Sequence, residues 1–120
     1  MATNYHQDGQ TIHYQNDTGS DIASGAPVVV GGLLCVAIVD IANGASGTLI
    51  AEGVASIPKA TGSAINQGAA VDFDVSAGNA NGNLTPDTGD LTGCGVAWET
   101  AASGDTTVLV KLNARAATVN

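Results

Sequence analysis

Short apolar runs, separated by turn-forming glycine, asparagine, aspartate and serine, make up most of this chain. In several runs apolar and polar positions alternate, as where Val71, Phe73 and Val75 are separated by Asp72 and Asp74. A period of two places the apolar side chains on one face of a strand and the polar ones in water. The pattern therefore predicts an all-β domain, a β-barrel or a sandwich-like fold with at most one short helical turn.

The turn residues between the runs place the individual strands. Gly31-Gly32 predicts a tight hairpin. Gly53 predicts a bulge or bend within a long strand that Pro58 ends. Near the end of the chain, Trp98 shares one strand face with Cys94 and is expected to point inward. The predicted strands cover residues 11–15, 28–30, 33–39, 48–57, 71–75, 94–98 and 107–112.

The remaining segments set the predicted organisation of the chain. One helical turn is predicted at residues 63–67, with a serine N-cap and a glycine terminator. Residues 77–92, rich in Gly, Asn, Asp and Thr, predict a long hairpin or exposed flap. We expect an N-terminal arm at residues 1–8, a β-barrel-like domain at residues 9–113 and a flexible C-terminal tail at residues 114–120.

A short pattern occurs three times. Val36-Ala37, Val54-Ala55 and Val96-Ala97 are each followed at the same distance by an alanine and then by a glycine. One interpretation is a strand that runs into a glycine-containing corner, used three times in one barrel. The other is coincidence in a chain rich in alanine and glycine. The spacing is too irregular for a solenoid.

Charge narrows the choice of partners. Eleven acidic residues stand against three basic ones, Lys59, Lys111 and Arg115, for a net charge of −8. Such a surface repels nucleic-acid phosphates and anionic membranes, so we expect neither as a partner. Charged residues are only 12% of the chain, which is sparse for a free monomer and suggests that partners cover part of the surface.

The cysteines and the first residues suggest where the protein is made. Cys35 and Cys94 lie far apart and form no CxxC pair, so we expect two buried thiols in a protein made in a reducing cytosol. The opening MATNYHQDG has neither the basic nor the apolar region of a signal peptide.

Catalytic and cofactor signatures are missing from the sequence. It contains no P-loop, no dinucleotide fingerprint and no GxSxG elbow. His6 and His13 do not combine with the cysteines at zinc-binding spacing. The carboxylate pairs Asp72/Asp74 and Asp87/Asp90 are expected to be solvated. We therefore predict no enzyme activity, no catalytic residues, no metal and no cofactor.

The N-terminal arm contains the candidate contact residues. Asn4, Tyr5, His6 and Gln7 combine an aromatic ring with hydrogen-bonding groups, in a segment too polar for the core. One interpretation is a disordered terminus. The other is an arm that lies on a neighbouring subunit, with Tyr5 as its anchor.

Three blocks of sequence resemble a known family. MATNYHQDGQTIHY, the stretch from SGAPVVVGG to AAVDFD, and GCGVAWETAASGDTTVLVKLN occur in the order seen in phage capsid cement, or head decoration, proteins. The likeness covers nearly the whole chain to Asn113. Members are sometimes labelled recombinases, a label that the missing nucleotide-binding loop argues against here.

The resemblance implies a compact β domain that binds the outer surface of the expanded head in the virion. It would bridge neighbouring major capsid proteins as a homo-oligomer, a trimer or alternatively a dimer. An alternative function is a carbohydrate-binding or accessory β domain of a phage tail, for which exposed aromatics would be needed. A role inside the head, against DNA, conflicts with the net charge of −8.

Overall fold

Strands form where the sequence alternates, or where turn residues bound a short apolar run. The computed structural model describes residues 8–113 and 117–120, and these contain ten β-strands and no helix. The strands are β1 (Thr11–Gln15), β2 (Pro27–Val30), β3 (Leu33–Ala37), β4 (Ser46–Ile50), β5 (Gly53–Pro58), β6 (Ala70–Asp74), β7 (Asn79–Asn81), β8 (Leu91–Ala97), β9 (Thr107–Leu112) and β10 (Thr118–Val119).

These strands form two antiparallel sheets. The first has the order β1-β4-β3-β2; the second has the order β5-β9-β8-β6-β7, with β10 paired to β8. Gly31-Gly32 joins β2 to β3, and Gly31 has a positive φ of 57°, which a residue without a Cβ adopts at little cost. The predictions of an all-β, sandwich-like fold and of this hairpin are confirmed.

The two sheets repeat one four-stranded arrangement. In the first sheet β1 pairs with β4, β4 with β3 and β3 with β2; in the second, β5, β9, β8 and β6 pair in the same order. An isolated bridge between loops also recurs, joining Ile22 to Ile41 in the first sheet and Ile65 to Ala101 in the second. We call residues 11–50 the first repeat and residues 53–112 the second, in which β7 is an insertion between β6 and β8.

The short sequence pattern corresponds only in part to this duplication. Ala37 and Ala97 end the equivalent strands β3 and β8, and the glycine-containing turns that follow are equivalent as well. The third occurrence, at Val54-Ala55, lies in β5, which is the counterpart of β1. The corner is therefore used twice, once in each repeat, and the third occurrence has no structural equivalence to the other two.

Two clusters of buried side chains form the core. The larger covers one face of the second sheet and includes Leu34 and Val36 from β3. The smaller includes Cys35 and Ala37, which alternate with them along the same strand. β3 is thus covered on both faces, which explains why its sequence, LLCVA, is apolar throughout instead of alternating.

Asn113 connects the two sheets directly after β9. It is the one non-glycine residue with a positive φ, 53°, in the part of the chain that the structure describes. Its Oδ1 accepts the Leu34 N–H at 2.9 Å, and its Nδ2 donates to the carbonyl oxygens of Leu34 and Ala51, both at 2.8 Å. The side-chain amide thus satisfies backbone groups of the first sheet from the end of the second.

The single strand predicted for residues 48–57 is wrong. β4 and β5 belong to different sheets, and the chain leaves the first sheet at Ala51 and Glu52. Gly53 begins β5 with a φ of 109°, a conformation open to glycine but strained for other residues. Because the apolar pattern continues across the break, the sequence marks the bend but not the change of sheet.

The helical turn predicted at residues 63–67 is also wrong. Ile65 is buried and pairs with Ala101 through two backbone hydrogen bonds, of 2.9 and 2.8 Å. The hydroxyl of Ser63, the expected N-cap, instead donates to Asn81 Oδ1 and accepts the Gly82 N–H. Pairing across the repeat and contact with the β7 insertion outweigh the local helical signal.

Residues 77–92 are only partly an exposed flap. Ala80 in β7, Asp90 directly before β8 and Leu91 at its start are fully buried or nearly so, whereas residues 82–83 and 85–88 are exposed. Ala80 also forms a parallel bridge with Lys59, which places β7 beside the end of β5. Within the predicted tail, Thr118 and Val119 form β10 and pair with β8.

Candidate contact surface

The candidate capsid-contact residues from the sequence, Asn4, Tyr5, His6 and Gln7, lie outside the described residues. Their role stays a prediction. Exposed apolar side chains in the described ranges provide a second set of candidates, because a large apolar group in water is a usual component of a protein interface. The large hydrophobic residues with the greatest exposure are Ile38, Val39, Val54, Val75, Trp98 and Val119.

Trp98 is 49% exposed, so the prediction that it points inward is wrong. The pairing of β6 with β8 shifts between Val71 and Phe73, where extra residues of β8 bulge out. Gly93 lies in this bulge with a φ of 70°, and its N–H donates to Asp72 Oδ1. A bulge changes which side chains face the core, so Cys94 is buried while Trp98, an even number of residues later, is exposed. The glycine within a strand was the sequence signal for this change.

The outer face of the second sheet continues from Trp98. Val54, Lys111 and Val96 are aligned across β5, β9 and β8, and all three are exposed or half-buried. Lys111 Nζ lies 5.9 Å from the centroid of the Trp98 ring, within the range of a cation–π contact. This face therefore combines an aromatic ring, two valines and a positive charge, and the exposed tryptophan is the member typical of protein contact sites.

A depression of about 340 Å³ lies between this face and the β8–β9 loop. Ser56, Leu109, Glu99 and Asp105 are among the residues that line it. The Asp105 carboxylate accepts the Ala102 N–H at 2.8 Å and so holds its own turn. The depression is bordered by the exposed carboxylates of Glu99 and Asp105 and by other residues of the loop.

Two buried polar side chains occupy equivalent positions in the repeats. Asn16 follows β1 and Lys59 follows β5, and they are 0% and 4% exposed. Asn16 Nδ2 donates to the Ser20 carbonyl at 2.8 Å. Lys59 Nζ donates to three carbonyls, with that of Ser63 at 2.6 Å and that of Ser103 at 3.3 Å. Each side chain satisfies carbonyls of neighbouring loops, so both are structural and neither is a catalytic candidate.

Asp90 is a buried carboxylate that the sequence interpretation placed in solvent. It is 1% exposed, which corrects that expectation. Oδ1 accepts the Val75 N–H at 3.0 Å and Oδ2 accepts the Asp87 N–H at 2.8 Å. Its carbonyl accepts the backbone N–H of Asn120 at 2.9 Å. Asp90 therefore holds together three segments around the β7 insertion.

The other carboxylate pair also serves local structure. Asp72 Oδ1 accepts the Gly93 N–H at the bulge. Asp74 Oδ1 accepts the hydroxyl and the N–H of Ser76 and the N–H of Ala77. The Ser76 hydroxyl bond, followed by that of the Ala77 N–H, lowers the pKa of Asp74. Both carboxylates thus accept hydrogen bonds that order a turn or the β8 bulge, and a carboxylate with a lowered pKa is a poor general acid at neutral pH.

Both cysteines are free and buried, as predicted. Burial raises the pKa of Cys35 from 9.0 to about 11. Burial, together with the charge of Asp72, raises that of Cys94 to about 12. The Cys94 thiol donates to the Val71 carbonyl at 3.2 Å. Both thiols are thus un-ionised packing groups at neutral pH and not nucleophiles.

Two searches of the described residues are negative. No cluster of three or more histidine, cysteine, aspartate or glutamate side chains in residues 8–113 and 117–120 could hold a metal ion. In the same ranges, no helix is long and apolar enough to cross a membrane.

Exposed apolar groups on a hydrogen-bonded β framework are features of a binding or structural protein. In a comparison with family models, the one described as phage cement protein matches residues 6–112. The chain therefore belongs to the phage cement protein family, and the resemblance noted in the sequence is confirmed. Membership implies a structural, non-enzymatic role in association with the phage capsid. Nothing among curated proteins or solved structures matches the chain.

Proposed function

We propose that the protein binds the outer surface of the expanded head and stabilises contacts between neighbouring copies of the major capsid protein. The match to the cement family over residues 6–112 carries this proposal. The net charge of −8 supports an outward-facing position, because packaged DNA would repel the protein from the inner surface.

The proposed mechanism is the addition of many weak contacts. The protein is made in the host cytoplasm and binds as a homo-oligomer, a trimer at local threefold positions or alternatively a dimer at twofold positions. Each copy then contributes a modest interface, and the oligomer holds several capsid subunits at a high effective concentration. Asn4, Tyr5, His6 and Gln7 are proposed to lie on the capsid, with residues 77–92 as a further contact.

Addition of the purified protein to expanded heads that lack it tests the proposal. We expect the protein to cosediment with the heads and to raise their melting temperature, as measured by scanning calorimetry. Unexpanded heads serve as the control, because the proposed site forms on expansion. Failure to bind expanded heads, or binding without a rise in their melting temperature, would refute the proposed function.

Trp98 supports a second candidate function, that of a carbohydrate-binding or accessory β domain of a phage tail. Its ring is 49% exposed, and an exposed aromatic ring is a common platform for sugars. No other aromatic side chain among the described residues is exposed, which makes this the weaker candidate. A glycan array distinguishes the two: a Trp98-dependent signal would favour sugar binding.

A further inference from the structure

The duplication places large apolar side chains at equivalent points of two loops. The first loop, residues 38–45, joins β3 to β4, and the second, residues 98–106, joins β8 to β9. Ile38 and Val39 are 43% and 49% exposed in the first, and Trp98 is 49% exposed in the second. The pattern of burial is also the same in both loops. Three exposed residues lie between the buried residues 37 and 41 in the first, and three lie between the buried residues 97 and 101 in the second.

Equivalent hydrogen bonds hold the two exposed positions. The Ile38 N–H donates to the Thr48 carbonyl at 3.4 Å, and the Trp98 N–H donates to the Leu109 carbonyl at 2.8 Å. The Ile38 carbonyl accepts the Ser24 hydroxyl at 3.3 Å, and that of Trp98 accepts Nε2 of the equivalent Gln67 at 3.1 Å. Both apolar side chains are therefore presented from a backbone that is already ordered, which lowers the entropic cost of binding.

The bridge that supports each loop is equivalent as well. In the first repeat the Ser24 N–H donates to Asp40 Oδ1 at 2.7 Å; in the second the Gln67 N–H donates to Thr100 Oγ1 at 3.0 Å. Isolated exposed hydrophobic residues are common on protein surfaces and need no explanation. Exposure of a large apolar group at the same point of two duplicated loops is different, because the surface feature has been kept along with the supporting framework.

Exposed carboxylates lie in or beside both loops. Asp21 and Asp40 line one depression beside the first loop, and Glu99 and Asp105 line another beside the second. Of the two lysines in the described residues, Lys59 is buried against carbonyls and Lys111 lies over the Trp98 ring. Lys111 is therefore the one lysine exposed near either loop, and the other described charged groups in or beside the loops are acidic. An apolar centre among mostly acidic groups is complementary to an apolar side chain flanked by lysine or arginine.

We propose that these two loops are two copies of one contact site, and that each binds the same basic-flanked apolar element on a different copy of the major capsid protein. This inference rests on the proposed function and adds a mechanism to it. A cement protein joins identical subunits, and a duplicated chain can bind two of them through the same chemistry. Bivalent binding of this kind gives an overall affinity well above that of either contact alone.

Photo-crosslinking tests the equivalence of the two sites. p-Benzoylphenylalanine is placed at position 38 in one variant and at position 98 in another, and each is bound to expanded heads and irradiated. Mass spectrometry of the products should identify the same segment of the major capsid protein in both cases, with lysine or arginine beside the modified residue. Two unrelated segments, crosslinks only to another copy of this chain, or no crosslink from bound protein would overturn the inference.

Binding of serine variants gives an independent test. Ile38→Ser and Trp98→Ser should each weaken head binding about tenfold, because a single contact then holds the protein. The double variant should lose binding, because neither contact remains. Val119→Ser is the matched control, since Val119 is 53% exposed and lies outside both loops. Thermal unfolding checks that each variant is folded.

The outcomes separate the inference from the proposed function. If the wild-type protein does not bind expanded heads, the proposed function fails. If the wild-type protein binds but the double variant binds as well as the Val119→Ser control, only the two-site inference fails. Because the borders are acidic, wild-type binding should also weaken as salt is raised from 50 to 300 mM; salt-independent binding would contradict the charged part of the contact.

Discussion

Replacement of Asn113 tests how the two sheets are joined. Its amide makes three hydrogen bonds to backbone groups of the first sheet, at 2.9, 2.8 and 2.8 Å. At about 1 kcal/mol each, these contribute about 3 kcal/mol to the free energy of unfolding. Alanine at a φ of 53° adds about 1 kcal/mol of backbone strain, so Asn113→Ala should cost about 4 kcal/mol.

Two further variants separate the causes. Asn113→Gly loses the hydrogen bonds but not the freedom to adopt a positive φ, so it should cost about 3 kcal/mol. Asn113→Asp keeps the acceptor for the Leu34 N–H but directs an oxygen at two carbonyls, so it should also be strongly destabilised. With a urea dependence of about 2 kcal/mol/M, the alanine variant should unfold about 2 M urea earlier than wild type.

Equilibrium urea unfolding, followed by Trp98 fluorescence and by circular dichroism, provides the measurement. Coincidence of the two curves checks that unfolding is a two-state process. A loss below 1 kcal/mol for Asn113→Ala would refute the role of the amide, because the three hydrogen bonds would then contribute almost nothing. Equal losses for alanine and glycine would refute the contribution of the positive φ.

Three further predictions concern packing, a buried charge and the thiols. In Gly95→Ala the new Cβ would lie 2.5 Å from a methyl group of Val110, so the free energy of unfolding should fall by about 2 kcal/mol. Gly104→Ala is the control: its Cβ would have nothing within 4 Å, so this variant should unfold in urea like wild type. Lys59→Met removes three hydrogen bonds to carbonyls and should cost about 2 kcal/mol in the same assay; a loss under 0.5 kcal/mol would contradict that role. Cys35 and Cys94, with pKa values of about 11 and about 12, should resist a disulfide reagent at pH 8 until urea unfolds the protein, and rapid labelling without urea would count against their burial. The unfolded thiols ionise near their ordinary pKa of 9.0, whereas the folded thiols stay protonated to a higher pH. The contribution of the two buried thiols to the free energy of unfolding is therefore complete below pH 9 and should be lost as pH rises through 11 to 12.

The duplication explains why a chain of 120 residues with few aromatic side chains forms a stable structure. Each repeat has the same order of strand pairing and the same bridge between loops, so one arrangement of four strands forms most of both sheets. The repeats also differ in the side chains at some equivalent positions. Asn16 and Lys59 occupy equivalent buried positions and bond to carbonyls with different side chains.

Much of the strand framework could be predicted because its causes are local. Alternation marked the inner face of β9, where Val108, Val110 and Leu112 are buried. The Gly31-Gly32 pair marked the β2–β3 hairpin, since glycine tolerates the backbone angles of a tight turn. The ordered sequence blocks resemble phage cement proteins, and the family match confirms that resemblance.

What the sequence by itself determined was therefore the type of most segments and the positions of several turns, because alternation and turn residues act over a few neighbouring positions. The class of protein came from the resemblance of its ordered sequence blocks to a known family. Tertiary structure alone decided that residues 48–57 divide between two sheets, that Trp98 faces outward beyond a bulge, and that Lys59 and Asp90 are buried. Those outcomes depend on partners distant in the chain: the strand across the sheet, the carbonyls of a neighbouring loop and the packing of one repeat against the other. Alternation within a strand carries no information about such partners, so the equivalence of the two exposed loops became visible only in the folded chain.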